Sequence, residues 1–184
     1  SHDNSRQRME TDQVVSLSDR FQGAYAEVGL PKITFLESMR FYYNDNVVDV
    51  IYTGPGHTDG DTQVYFRDSN VIHTGDMFVR YGLPFIDQSN GGTMDGMIDA
   101  LMNIASLIDD DTIIIPGHGQ LSSRDDLLDY RAMLVVIRGK LVRAKVLSLS
   151  PGEMLESQPA DGYAPPNENT NGWLLRAYEE YTGQ

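Results

Sequence analysis

Gly54-Pro55-Gly56-His57-Thr58-Asp59-Gly60-Asp61 is the stretch on which the reading of this sequence turns. It breaks a run of strand-like residues with a Gly-Pro-Gly turn and delivers an imidazole at the break. Upstream, Ser38 to Tyr43 and Val47 to Tyr52 read as two strands. Asn44-Asp45-Asn46 between them has the residue types of a tight hairpin turn. Ile33 to Leu36, after Pro31, reads as a further strand. Downstream, Gln63 to Arg67 and Asn70 to Thr74 form a second hairpin around Asp68-Ser69. This half of the chain is therefore rich in antiparallel strands.

The pattern then changes. Residues 77–92 read as a long loop rich in glycine, proline and aromatic side chains. Thr93 has the character of an N-cap, and Met94, Met97, Ile98, Leu101, Ala105 and Ile108 follow at helical spacing. The methionines in that stripe belong to a core-facing helix. Asp109-Asp110-Asp111 ends the helix, and Thr112 to Ile115 is a short continuous apolar run. Bounded by turn residues, that run predicts a strand buried on both faces. Ser123 with Asp126 three residues on makes a capping box. The helix behind it carries Leu127, Tyr130, Leu134, Ile137, Leu141 and Ala144 on one face and reaches about Leu147.

Residues 150–172 read as a loop, and Trp173, Leu174, Tyr178 and Tyr181 predict a last helix packing back on the body. At the other end, residues 1–20 are polar, with Asp3 or Asn4 placed to cap a short helix including Arg6 to Glu10. Strands followed by strand–helix alternation give one mixed α/β (α+β) domain over residues 1–184. Residues 150–184 are its C-terminal loop and packing helix.

Composition narrows the function. Fourteen basic residues against 27 acidic ones leave a formal net charge of −13. Such a balance opposes binding to phosphate backbones, so no nucleic-acid partner is expected. It suits a small-molecule substrate or a bound cation. No apolar run reaches the length of a membrane span, so no membrane partner is expected either. The chain has no cysteine, which removes disulfides, thiolate metal ligands and a cysteine nucleophile. Compartment is not legible from these residues.

Three ligand-type side chains stand at equivalent places. His57 lies just past the strand ending at Tyr52, Asp76 follows Gly75 after the strand Val71 to Thr74, and His118 follows Pro116-Gly117 after Ile115. Each sits on a glycine-containing turn at the C-terminal end of a strand, where a rigid sheet presents functional groups. Imidazole and carboxylate together suit zinc, with iron or manganese as alternatives. Singly, each is an ordinary turn residue; jointly, the order and placement are specific.

The segments Gly54 to Asp61, His73-Thr74-Gly75-Asp76-Met77-Phe78 and Ile114-Ile115-Pro116-Gly117-His118-Gly119 resemble three successive metal motifs of the metallo-β-lactamase superfamily. The resemblance implies an αββα sandwich with two metals at the sheet edge. His57 would bind the first, His118 the second, and Asp76 would bridge both. An aspartate at that position resembles the branch that includes glyoxalase II and lactonases. The implied chemistry is a metal-bridging hydroxide attacking an ester, thioester, lactone or similar centre. Asp61 is expected to accept a hydrogen bond from a ligand imidazole. Arg80 and Tyr81, just after the bridging aspartate, are expected to wall a substrate pocket. His73 reads as structural.

The superfamily's His-x-His-x-Asp-His motif is absent: the histidines stand only at positions 2, 57, 73 and 118. The start at Ser1 resembles the stretch just beyond that motif. The expectation is therefore a partial sandwich lacking its N-terminal strands, weakly metallated or metal-free, inactive alone, and prone to self-association through the exposed edge. The alternative is a metal-free interaction domain of the same fold.

Overall fold

The computed structural model describes residues 1–15 and 20–182. A short helix α1 (Asp3–Met9) is followed by a two-stranded ribbon, β1 (Gln13–Val15) with β2 (Arg20–Gln22). A five-stranded sheet comes next, in the order β3 (Ser38–Tyr43), β4 (Asn46–Tyr52), β5 (Thr62–Phe66), β6 (Val71–Val79), β7 (Ile113–His118). The first four strands run antiparallel and β7 lies parallel to β6. Between those two the chain crosses over through helix α2 (Met94–Leu107), as a parallel pair requires. Helices α3 (Arg124–Val146), α4 (Pro151–Glu156) and α5 (Glu168–Thr182) complete the chain.

Local chemistry accounts for most of these boundaries. Asn44 and Asp45 both take positive φ, 49° and 57°, and Tyr43 pairs with Asn46 across them, which is the twist-matched hairpin turn those residue types favour. The Thr93 side chain accepts from Gly96 N at the start of α2. Ser123 and Asp126 form a reciprocal capping box at the start of α3.

Five expectations are revised. The N-cap of α1 is His2, whose ring accepts from Asn4 N, so the helix begins before Arg6 and neither Asp3 nor Asn4 caps it. Ile33 to Leu36 forms no strand, only a single bridge from Phe35 to His2. The strand before Asp76 does not stop at Thr74 but runs on through Val79, so the loop begins later than residue 77. Residues 150–172 contain α4, begun by a second capping box, Ser150 with Glu153. Finally, β7 is not covered on both sides: Ile114 is fully buried, while Ile113 is 46% exposed.

That last difference follows from how the sheet is used. Register puts Tyr65, Ile72 and Ile114 on one face, where they join the buried faces of α2 and α3 in a single core. The opposite face carries Met39, Phe41, Val48, Val50, Val64, Phe66, Val71, Ile113 and Ile115, and it stays partly open. Among the described residues, helices therefore cover one face of the sheet. This is one β–α half of the αββα arrangement, in a mixed α/β fold.

On the helix-side face of β4, buried Asp49 accepts from Arg40 (2.6 and 2.9 Å) and from Arg67 (2.8 Å). The Arg40 hydrogen bonds, and then Arg67, overcome burial and hold its carboxyl at about 2, below its ordinary 3.8. A depressed folded-state value means that the unfolded chain binds the proton more readily. The contribution is therefore complete above pH 3.8 and is lost as pH falls through about 2. Urea titrations across that window should show stability falling with acidification. Asp49→Asn should flatten the slope and cost roughly 2 kcal/mol at neutral pH.

Candidate metal centre

The carboxylate of Asp76 lies between two imidazoles. Its Oδ2 is 3.6 Å from His57 Nε2 and its Oδ1 is 3.4 Å from His118 Nε2. His57 comes from the turn after β4, Asp76 from within β6 and His118 from the end of β7, and the fold brings the three side chains together.

Two glycines make the convergence possible. Gly75 takes φ +57°, and the β6–β7 register shifts on either side of it: Gly75 pairs with Pro116, and the next pair is Val79 with His118. The kink takes Asp76 out of the regular alternation of the strand. Across from it, a Cβ on Gly117 would overlap Asp76 Oδ1 and stand 2.7 Å from the Gly75 carbonyl. Only a residue without a side chain lets the two strands close here.

His57 is held by its other nitrogen. Nδ1 lies 2.9 Å from the Phe85 carbonyl, an acceptor, so Nδ1 carries the proton. In the neutral ring, Nε2 is then a lone pair aimed at a carboxylate. Two acceptors 3.6 Å apart repel unless a cation, a proton or a metal, lies between them. The separations agree with a metal: two donors bound at 2.1 Å in tetrahedral geometry stand roughly 3.4 Å apart.

The fit is partial. Because each oxygen of Asp76 faces a different imidazole, the chain offers two positions with two donors each. Among the described residues no group of three such side chains forms. Catalytic zinc ordinarily takes three protein ligands and an open position, so each position is one or more donors short.

The other expected site residues divide. Asp61 does not hold an imidazole: it accepts from Thr58 N (2.7 Å) and Thr58 Oγ1 (3.1 Å), closing the turn after His57. Burial raises its carboxyl above the ordinary carboxylate range, against the hydrogen bonds from Thr58 and the nearby His57. The expected imidazole partner is the Phe85 carbonyl, and a loop carbonyl has no signature in sequence. Arg80 turns to Asp126 on α3 (3.0 Å). Tyr81 does stand at the site, its ring 5.5 Å from that of His118. His73 accepts from Gly75 N at 3.0 Å, helping to shape the kink, a structural role as expected.

Tyr81 and Phe85 also open onto a cavity of about 710 Å³, whose other wall is the start of α5 and the segment before it. The helix is tied to the loop after β6. Trp173 Nε1 donates to the Pro84 carbonyl, Gln88 donates to the Arg176 carbonyl, and Met94 N donates to Glu180. Sequence reasoning had α5 as a packing helix and missed that it walls a pocket.

The sequence model of the metallo-β-lactamase superfamily matches residues 3–133. The chain belongs to that superfamily. Its members are in general metal-dependent hydrolases that typically bind zinc. The structure resembles the sec-alkylsulfatase Pisa1 from Pseudomonas sp. (TM-score 0.64, 16% identity, covering 83% of this chain and 27% of that one). It resembles the B3 metallo-β-lactamase BLEG-1 (0.57, 19%, 72% and 63%). It also resembles a metallo-β-lactamase from Pontibacter korlensis (0.51, 18%, 58% and 49%). At these identities the likeness is one of fold. The chain spans less than two thirds of the length of each. No curated protein sequence matches it.

Gly117→Ala tests the close approach. The added methyl meets main-chain atoms that cannot swing away, so thermal unfolding should show a loss of about 1–3 kcal/mol. Gly139→Ala, on an open helix surface, should be neutral or slightly stabilising.

Proposed function

We propose that this chain is the part of a metal-dependent hydrolase that supplies His57, Asp76 and His118 to a two-metal site acting on an ester, thioester, lactone or similar small substrate. The observation that carries the reading is the His57 imidazole, fixed by the Phe85 carbonyl so that its free nitrogen faces a carboxylate, an arrangement that calls for a cation. Zinc bound there would supply Lewis acidity and an acidified water; iron or manganese would serve similarly.

The residues of this chain would act around that chemistry. Asp76 is shared between the two positions, so it sets their separation. Phe85 fixes the tautomer and orientation of His57. Tyr81 stands beside His118 and also lines the cavity. With two protein donors at each position, the 184-residue chain alone would be inactive and would hold metal weakly, the remaining donors coming from outside these residues.

A second reading, a metal-free interaction domain of the same fold, is favoured by the lack of any three-donor group among the described residues. Zinc uptake separates the two. Isothermal titration should show zinc binding weak enough for gel filtration to strip it. The binding should be abolished by Asp76→Ala, which serves both positions, and reduced by His118→Ala. No binding at all would favour the interaction domain, and two zinc ions retained through gel filtration would overturn the claim of weak binding.

Self-association belongs to the same proposal. Among the described residues strand β3 pairs only with β4 in the sheet, and Phe41 on β3, Phe66 on β5 and Ile113 on β7 are exposed on the open apolar face. Light scattering should find dimers or larger species at micromolar concentration, with Phe41→Lys shifting the population toward monomer. A wild-type chain that stays monodisperse and monomeric would end the claim.

A further inference from the structure

The cavity beside the metal centre has a chemical asymmetry that its position alone does not require. Its body is apolar and aromatic, with Leu83, Pro84, Phe85 and Trp173 on one side and Tyr163 and Pro165 on another. Among the described residues lining it, Arg176 is the single basic side chain and Glu168 the single carboxylate. Glu168 lies on the exposed first turn of α5, where solvent screens it, whereas Arg176 is half-buried two turns further in.

The arginines around it are engaged. Arg80 pairs with Asp126 and Arg138 with Asp95, but Arg176 forms no ion pair among the described residues. In a chain of net charge −13, a half-buried guanidinium without a carboxylate partner, facing a cavity, is unusual. Its backbone is fixed, since its carbonyl accepts from Gln88 and the neighbouring Trp173 is tied to Pro84.

We propose that Arg176 is a substrate-binding residue, and that the pocket takes a molecule with an apolar body and a terminal carboxylate. The planar fork of the guanidinium matches a carboxylate with two parallel hydrogen bonds. The apolar body would lie along Trp173 and Phe85. Its far end would lie against Phe85 and Tyr81, the wall residues whose rings pack 5.3 Å from that of His57 and 5.5 Å from that of His118. The volume, about 710 Å³, suits a ligand of that kind. Which bond is then cut rests on the hydrolase reading; the anchoring of the carboxylate does not.

The chain carries its own reporter. Trp173 is the single tryptophan and forms part of the pocket wall, so its fluorescence reads occupancy without turnover. The probes are 4-phenylbutyrate and the neutral 4-phenylbutyramide, of the same shape. The acid should bind at least about tenfold tighter than the amide, as expected for a charge-assisted pair. That preference should vanish in Arg176→Met and survive in part in Arg176→Lys, with unchanged circular dichroism showing that both variants fold. Equal affinity for acid and amide, a preference that persists in Arg176→Met, or no response to either compound would overturn the assignment. A preference for the acid in a chain that binds no zinc would support the pocket assignment while counting against the hydrolase reading.

Discussion

The close approach of β6 and β7 at Gly75 and Gly117 is the constraint on which the site depends. Parallel strands that kept their register would send Asp76 to a face of the sheet like any other strand residue. The positive φ of Gly75 interrupts the ladder, and the pairing resumes only at Val79 with His118. In the gap the Asp76 carboxylate stands between two imidazoles, over a glycine that has no methyl to displace it. A local irregularity in the sheet is thus the means by which one side chain reaches two partners.

A second layer of organisation comes from the C-terminal helix. α5 caps the start of α2 through Glu180 and holds the loop after β6 through Trp173. The same loop supplies the Phe85 carbonyl that fixes His57. Packing at the far end of the chain therefore holds the loop whose carbonyl fixes the His57 imidazole, more than a hundred residues earlier. The cavity arises between the helix and the loop it restrains, so binding and packing share the same residues.

The two faces of the sheet explain the rest of the molecule's character. One is sealed by α2 and α3 into a continuous core; the other presents β-branched and aromatic side chains with no layer over them. The apolar run at 113–115 reads in sequence as a strand buried on both sides, and its composition does suit such a strand. The covering layer is simply not formed by the described residues. In a chain of net charge −13 the half-buried Arg176, lining the cavity without an ion pair among the described residues, stands out.

Much of the fold was legible because it depends on bonds made within a few residues. The Asn44-Asp45 turn, the caps at Thr93 and Ser123 and the glycines beside His57, Asp76 and His118 were all readable in this way. The placing of His57 after β4 and of His118 at the end of β7 was legible too, whereas Asp76 lies inside β6 and not at its end. What sequence could not supply was the choice among distant partners. That the His57 imidazole takes the Phe85 carbonyl rather than Asp61, that Arg80 goes to Asp126, and that Arg176 faces the cavity were decided by the packing of segments tens of residues apart. Such pairings follow from the shape of the folded body, and neither a carbonyl's direction nor an arginine's neighbour is written in the residues beside it.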